Sequence, residues 1–277
     1  MYDKRNEIGG NIMIYEEKLQ QYKDWIFRRS AYQMALAIIG IDKQTVAPSA
    51  GAAYRDERSA YLAGELFSIE TDPEMVQLLK ELKDDPQIDG DNKRAVELYY
   101  KQAMDTMCIP KEEFVAYQKL RDESFDAWIN AKSQSDYSIF EPYLKKIIEV
   151  SKKMYRYRNS DKNLYDQMLD DYEPGMTQEK YDVFFAALKE RLVPLIQKVT
   201  KAKQKNEAFL HQEFPIEDQK KFMTQLLEYL HFDSSWGYQN ESEHPFTSWT
   251  CENDCRTTTK YVKNDVISAV LSTVHEV

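Results

Sequence analysis

The chain has 277 residues, a formal net charge of −10, and 42% hydrophobic against 30% charged residues, a globular balance long enough to bury a large core in one or two domains. The acidic excess repels a phosphate backbone and argues against a nucleic-acid partner, and no apolar run approaches the roughly 20 residues needed to cross a bilayer, so no membrane partner is expected. Three cysteines do not make a disulfide framework, and Met1-Tyr-Asp-Lys-Arg-Asn-Glu7 lacks the apolar core of a signal peptide, which together give a cytoplasmic expectation.

Residues 1–12 differ in character from the rest of the chain. They are expected to be a disordered or misannotated leader, with Met13 as the alternative start to Met1. Beyond them, only 8 Gly and 9 Pro favour helix over turn-rich β structure. Leu19, Tyr22, Trp25, Ile26, Tyr32, Ala35, Leu36 and Ile39 recur at helical spacing. Gly40 is the expected stop, followed by a loop over residues 41–51. Residues 52–69 form a second helix, with Arg55 to Arg58 as a solvated face. Thr71-Asp-Pro-Glu74 reads as a helix start, with Thr three before Glu as in a capping box and Pro in the first turn. Further helices are predicted at 93–107, 111–132 and 137–158, the last with Phe140, Tyr143, Leu144, Ile147 and Ile148 as its buried stripe.

Residues 165–175 are acidic and irregular in pattern. Asp170, Asp171 and Glu173 could offer oxygen ligands to a hard cation, or simply cap and solubilise the flanking helices. A long helix runs from Thr177 to about residue 203, with Tyr181, Phe184, Leu188, Leu192, Leu195 and Val199 inward and a kink or break at Pro194. Another covers 216–230. Helix fails only over 233–262, where Thr247 to Thr250 and Cys255 to Val262 are rich in β-branched and aromatic residues and read as short strands. The predicted fold is therefore all-α, with a small β element near residues 247–262. Cys251 and Cys255 have no second pair to complete a zinc knuckle and are read as free thiols.

The last stretch concentrates the signals. His244-Pro-Phe246 is followed, after seven residues, by Asp254-Cys-Arg256-Thr-Thr258. A helical run then carries Val266, Val270 and Val274 on one stripe, with Ile267 and Leu271 beside it, and closes on His275-Glu276. In order and spacing this closely resembles the carboxypeptidase Taq family of metallocarboxypeptidases. Residues 163–175, Ile41-Asp42, Thr45, Pro48, Gly51 and Arg55 add to the likeness, which covers the N-terminal part of the family's usual length. The resemblance implies one helical metallocarboxypeptidase domain over residues 13–277, truncated inside the family's His-Glu-x-x-His motif.

It also implies roles. His275 would be a ligand of one divalent metal, Zn²⁺ or alternatively Co²⁺, and Glu276 the general base that takes a proton from water. His244, Phe246, Asp254, Arg256 and Thr258 would form the substrate or active-site loops. Arg256 either forks a substrate carboxylate or ties a loop to Asp254. The implied substrates are peptides with a free C-terminus and the implied assembly a homodimer. With the second His and a further Glu absent, the fragment is expected to be inactive alone. A non-catalytic helical fragment or interaction module is the alternative, and a different metallopeptidase with the same helix motif a further one.

Overall fold

The computed structural model of the chain describes residues 14–158, 160–203 and 205–277. The expectations for residues 1–12 and for the Met13 start lie outside them. Ten α-helices and three strands follow one another among the described residues: α1 Tyr15–Thr45, α2 Ala52–Glu70, α3 Pro73–Lys83, α4 Gly90–Thr106, α5 Lys111–Gln134, α6 Glu141–Tyr157, α7 Leu164–Tyr172, α8 Gln178–Lys201, α9 Ile216–Tyr229, β1 Gly237–Glu241, β2 Thr247–Cys251, β3 Asp254–Thr259 and α10 Val266–Glu276. The mainly helical class and the small sheet are as the sequence predicts. No helix among them is long and apolar enough to cross a membrane.

Two compact units divide the chain: one runs through Leu36 and resumes over Asp56–Asp122, and the other comprises Ala37–Arg55 and Glu123–Val277. The first is built on Tyr22 and Trp25 of α1, Ile69 of α2, Leu78, Leu79 and Leu82 of α3, Ile88, and Val96 of α4. The Trp25 indole donates to the Ile69 carbonyl at 2.8 Å, so the ring is buried without an orphaned N–H. Arg29 pairs with Glu70 at 2.7 Å and lies 4.8 Å from the Tyr99 ring centre. Even so, burial holds the Glu70 carboxyl above its ordinary value against the pull of Arg29. Helices α2 and α5 approach closely at Gly64, where a Cβ would sit 2.8 Å from Val115 Cγ2.

Several local readings need correction. Helix α1 does not stop at Gly40 but continues to Thr45, because one Gly costs only about 1 kcal/mol in a helix. Thr45 Oγ1 donates to the Ile41 carbonyl at 2.7 Å there, and the helix yields just before Pro48. The cap of α3 is Asp72, not Thr71: Asp72 accepts from the Glu74 amide at 2.9 Å, and Pro73 fits the first helical position only in that register. Asp56 is not solvated. It falls on the buried face of α2 with Ala60, Gly64 and Phe67, where the 3.6-residue period puts it.

The acidic stretch at 165–175 is helical over Leu164–Tyr172, capped by Asn163. Its charges are absorbed locally. Asp171 accepts from Arg158 at 2.8 Å and Tyr155 at 3.0 Å, and Asp170 pairs with Lys162 at 3.1 Å. Helix α8 passes through Pro194 without a break, and none of its described residues is buried. The inward stripe expected there is open, Phe184 being 55% and Leu195 54% exposed.

The sheet is larger than predicted. Its order is β1-β3-β2, with β1 parallel to β3 and β2 antiparallel to it. Strand β1, Gly-Tyr-Gln-Asn-Glu, lacks the β-branched residues that mark the other two, which is why its sequence does not announce it. Its first residue is fixed by space, since a Cβ on Gly237 would collide with the Phe232 ring.

Candidate active site

The sheet's pleat decides which motif residues can meet. Along β3, successive side chains point to opposite faces. Thr259 Oγ1 donates to the Ala269 carbonyl of α10 at 3.3 Å and lies 2.8 Å from Ser272 Oγ. Cys255, Thr257 and Thr259 therefore share the face that α10 covers. From β1, Gln239 reaches the same helix, donating to Thr273 Oγ1 at 3.2 Å. Thr273 in turn donates to Met223 Sδ of α9 at 3.5 Å. Asp265 caps α10 by accepting from the Ser268 amide at 3.0 Å.

The buried face of α10 is thus Ala269 and Thr273, and not the valine stripe. Val266, Ile267 and Val270 line an apolar groove of about 540 Å³ with Phe209, Phe214 and Phe222, and Leu271 is 62% exposed.

At the end of α10, Glu276 is half-buried and His275 exposed. The Thr247 hydroxyl meets Glu276 twice, at 2.7 Å from its carbonyl and 2.5 Å from Oε2. Thr247 pairs with Thr257 across the β2–β3 ladder, so it stands on the α10 face. This contact was not legible in the sequence, where Thr247 read only as a strand residue; its one signal is that it directly follows His-Pro-Phe.

Asp254, Arg256 and Thr258 lie on the other face. Arg256 donates to both carboxylate oxygens of Asp254, and Thr250 of β2 donates to Asp254 Oδ2 at 2.8 Å. The guanidinium, with the Thr250 hydroxyl, holds the Asp254 carboxyl below its ordinary value. On this side Arg256 and Thr258 line a cavity of about 230 Å³ with Tyr238, Asn240, Ile41, Asp42 and Thr45. The sheet therefore separates Arg256 from Glu276, and the two do not line one cleft from the same face.

Thr258, fully buried, clamps the His-Pro-Phe loop. It accepts from Ser242 Oγ at 2.7 Å and from the Phe246 amide at 2.9 Å, while its own amide donates to the Phe246 carbonyl at 2.9 Å. His244 enters this network through its carbonyl, which accepts from Ser242 Oγ at 2.7 Å; its side chain is exposed and that of Phe246 half-buried. Glu243 anchors the loop further by pairing with Lys260 at 2.6 Å and Lys132 at 3.0 Å, which together hold its carboxyl below the usual range, Lys260 foremost. Cys251 is exposed and Cys255 buried, both free, and burial pushes the Cys255 thiol up.

Among the described residues, no three His, Cys, Asp or Glu side chains come together to hold a metal ion. A zinc or cobalt site takes three or four protein ligands. The one imidazole at the end of α10 does not fit such a centre by itself.

The comparisons with known proteins cover nearly the whole chain, these motifs included. The profile described as Carboxypeptidase Taq (M32) metallopeptidase matches residues 21–277. Carboxypeptidase 1 of Bacillus subtilis is 35% identical over 269 residues, which cover 96% of this chain and 53% of that protein. Thermostable carboxypeptidase 1 of Thermus thermophilus is 29% identical, over 90% of this chain and 52% of that one. The solved structure titled "BsuCP Crystal Structure" superposes with a TM-score of 0.90 at 34% identity, over 94% of this chain and 53% of its own. That of Pyrococcus furiosus carboxypeptidase gives 0.82 at 25% identity, over 94% and 53%. The chain spans about half the length of the curated relatives it matches. It belongs to the carboxypeptidase Taq family of metallopeptidases.

Proposed function

We propose that this chain carries the proton-accepting half of a metallocarboxypeptidase site, in an enzyme that releases C-terminal amino acids from peptides. The observation that carries this reading is the anchoring of the His275-Glu276 helix end on the strand that comes directly after His-Pro-Phe. Glu276 is the group that accepts a proton as water adds to the scissile carbonyl. His275 is one ligand of a divalent metal, zinc or cobalt, and the other ligands come from polypeptide outside these residues. His244 and Phe246 border the substrate path. Asp254, Arg256 and Thr258 support the strands from the far face: Arg256 braces Asp254, which takes the Thr250 hydroxyl of β2, and does not itself hold the substrate carboxylate.

The chain alone is inactive in this reading, and the assembled enzyme is a cytoplasmic homodimer acting on peptides with a free C-terminus. The test is hydrolysis of an amino-blocked dipeptide with added zinc or cobalt. No turnover is expected from the chain alone. Supplying the remaining half of the Bacillus subtilis relative should bring activity that Glu276→Gln lowers about 10²-fold or more. Turnover that survives Glu276→Gln would remove Glu276 from its role.

One observation favours a second reading, an interaction module without catalysis: helix α8 presents Val183, Phe184, Leu192, Leu195 and Ile196 in the open. Stable capture of the complementary half with no turnover at any metal concentration would select it.

A further inference from the structure

The three motifs are separate in sequence but join into one hydrogen-bonded path. Thr258 of β3 holds both backbone polar groups of Phe246, the last residue of His-Pro-Phe. The next residue, Thr247, is thereby fixed in register opposite Thr257. Its hydroxyl then reaches Glu276 at the carbonyl and at Oε2. We propose that Thr247 is the positioning residue of this site, the one side chain through which the strand motifs set the direction of the Glu276 carboxylate.

Geometry and chemistry support the assignment. A threonine hydroxyl has a single proton and two acceptors here, so it aims one carboxylate oxygen while leaving the other free to receive a proton. A β-branched side chain on a strand holds few rotamers, so the hydroxyl is fixed before the helix end arrives. Other polar contacts fix the depth of α10 on the sheet, at Thr259 and Gln239, but neither touches Glu276. Thr257 offers no substitute, since its hydroxyl is buried without a partner among the described residues.

The catalytic meaning of this positioning rests on the proposal that Glu276 is the proton acceptor. The experiment reads the positioning itself. The full chain, labelled with ¹³C-glutamate, is observed by NMR, and the Glu276 carboxylate signal is assigned by its loss in Glu276→Gln. Thr247→Val should move that signal and replace a single side-chain rotamer by averaging, while Thr247→Ser should restore both. In the unmodified chain the Thr247 hydroxyl proton should exchange slowly and couple to the Glu276 carboxylate carbon. An unchanged Glu276 signal and rotamer in folded Thr247→Val would overturn the proposal. So would a fast-exchanging, uncoupled hydroxyl in the parent, which decides the matter even if Thr247→Val does not fold. None of these outcomes depends on turnover, so failure here is distinct from failure of the proposed activity.

Discussion

Helices α3 and α8 carry the same kind of pattern and meet opposite fates. In α3, Val76, Leu78, Leu79 and Leu82 recur at helical spacing and are all buried, under α1, α2 and α4. In α8, Leu188, Leu192, Leu195 and Val199 recur as regularly, yet no described residue of the helix is buried. The difference teaches that periodicity specifies which face wants cover and says nothing about whether the cover is present. The relatives are about twice the length of the aligned region, and an open apolar face of this kind is what an interface presents.

The comparison is easiest to break with paired truncations. Leu79 is fully buried, so Leu79→Ala should cost about 2–5 kcal/mol, the usual range for a cavity in a closed core. Leu192 is 40% exposed, and Leu192→Ala should stay within about 0.5 kcal/mol. Urea denaturation of the two variants measures both. Equal losses would mean that α8 is covered in solution, by self-association or by packing that the monomer does not show.

A smaller effect is expected where the two faces of the sheet part company. Thr258→Val keeps shape but removes the acceptor of the Phe246 amide, while the Ser242 hydroxyl keeps the His244 carbonyl. Stranding one donor in a part-buried loop costs about 1–3 kcal/mol. The loss should be accompanied by faster amide exchange at Phe246 and Thr247, with the α3 core unaffected. Slow exchange at both in the variant would show that Lys132 and Lys260, through Glu243, hold the loop unaided.

Much of this molecule was legible because helices announce themselves by spacing. The family likeness was legible because three short motifs keep order and distance. Two of the failures share a cause: a side chain given no role in the pattern supplied the deciding bond. Asp72, not Thr71, captured the α3 amides, and Asn163 with Arg158 and Lys162 turned an acidic stretch into a capped helix. Within the site, the spacing of Asp254, Arg256 and Thr258 put them on one face of a strand. Nothing in it could say that α10 covers the other face. Thr247 was missed for the same reason: its role depends on where a helix packed later in the chain comes to rest.

The smallest expected effect sharpens the contrast between those faces. On the α10 side the sheet reaches the helix through the neutral hydroxyls of Thr247 and Thr259 and the Gln239 amide. On the far side Asp254 is charged, and its carboxyl is held below its ordinary value first by Arg256 and then by Thr250. A depressed carboxylate contributes stability that is present above its unfolded value of about 3.9 and is lost as pH falls through the folded value. Thermal unfolding followed downward from about pH 5 should therefore show the parent losing stability more steeply than Asp254→Asn, with the two converging in acid. The difference should be modest, because the Asp254 side chain is 29% exposed and the pair is part-screened by water. Other depressed carboxylates, Glu243 among them, titrate in both proteins and cancel in the comparison. Parallel curves for parent and variant would mean that the Asp254–Arg256 pair adds no net stability. Arg256 would then be freed from the supporting role assigned to it here, and its guanidinium would again be a candidate for contact with substrate.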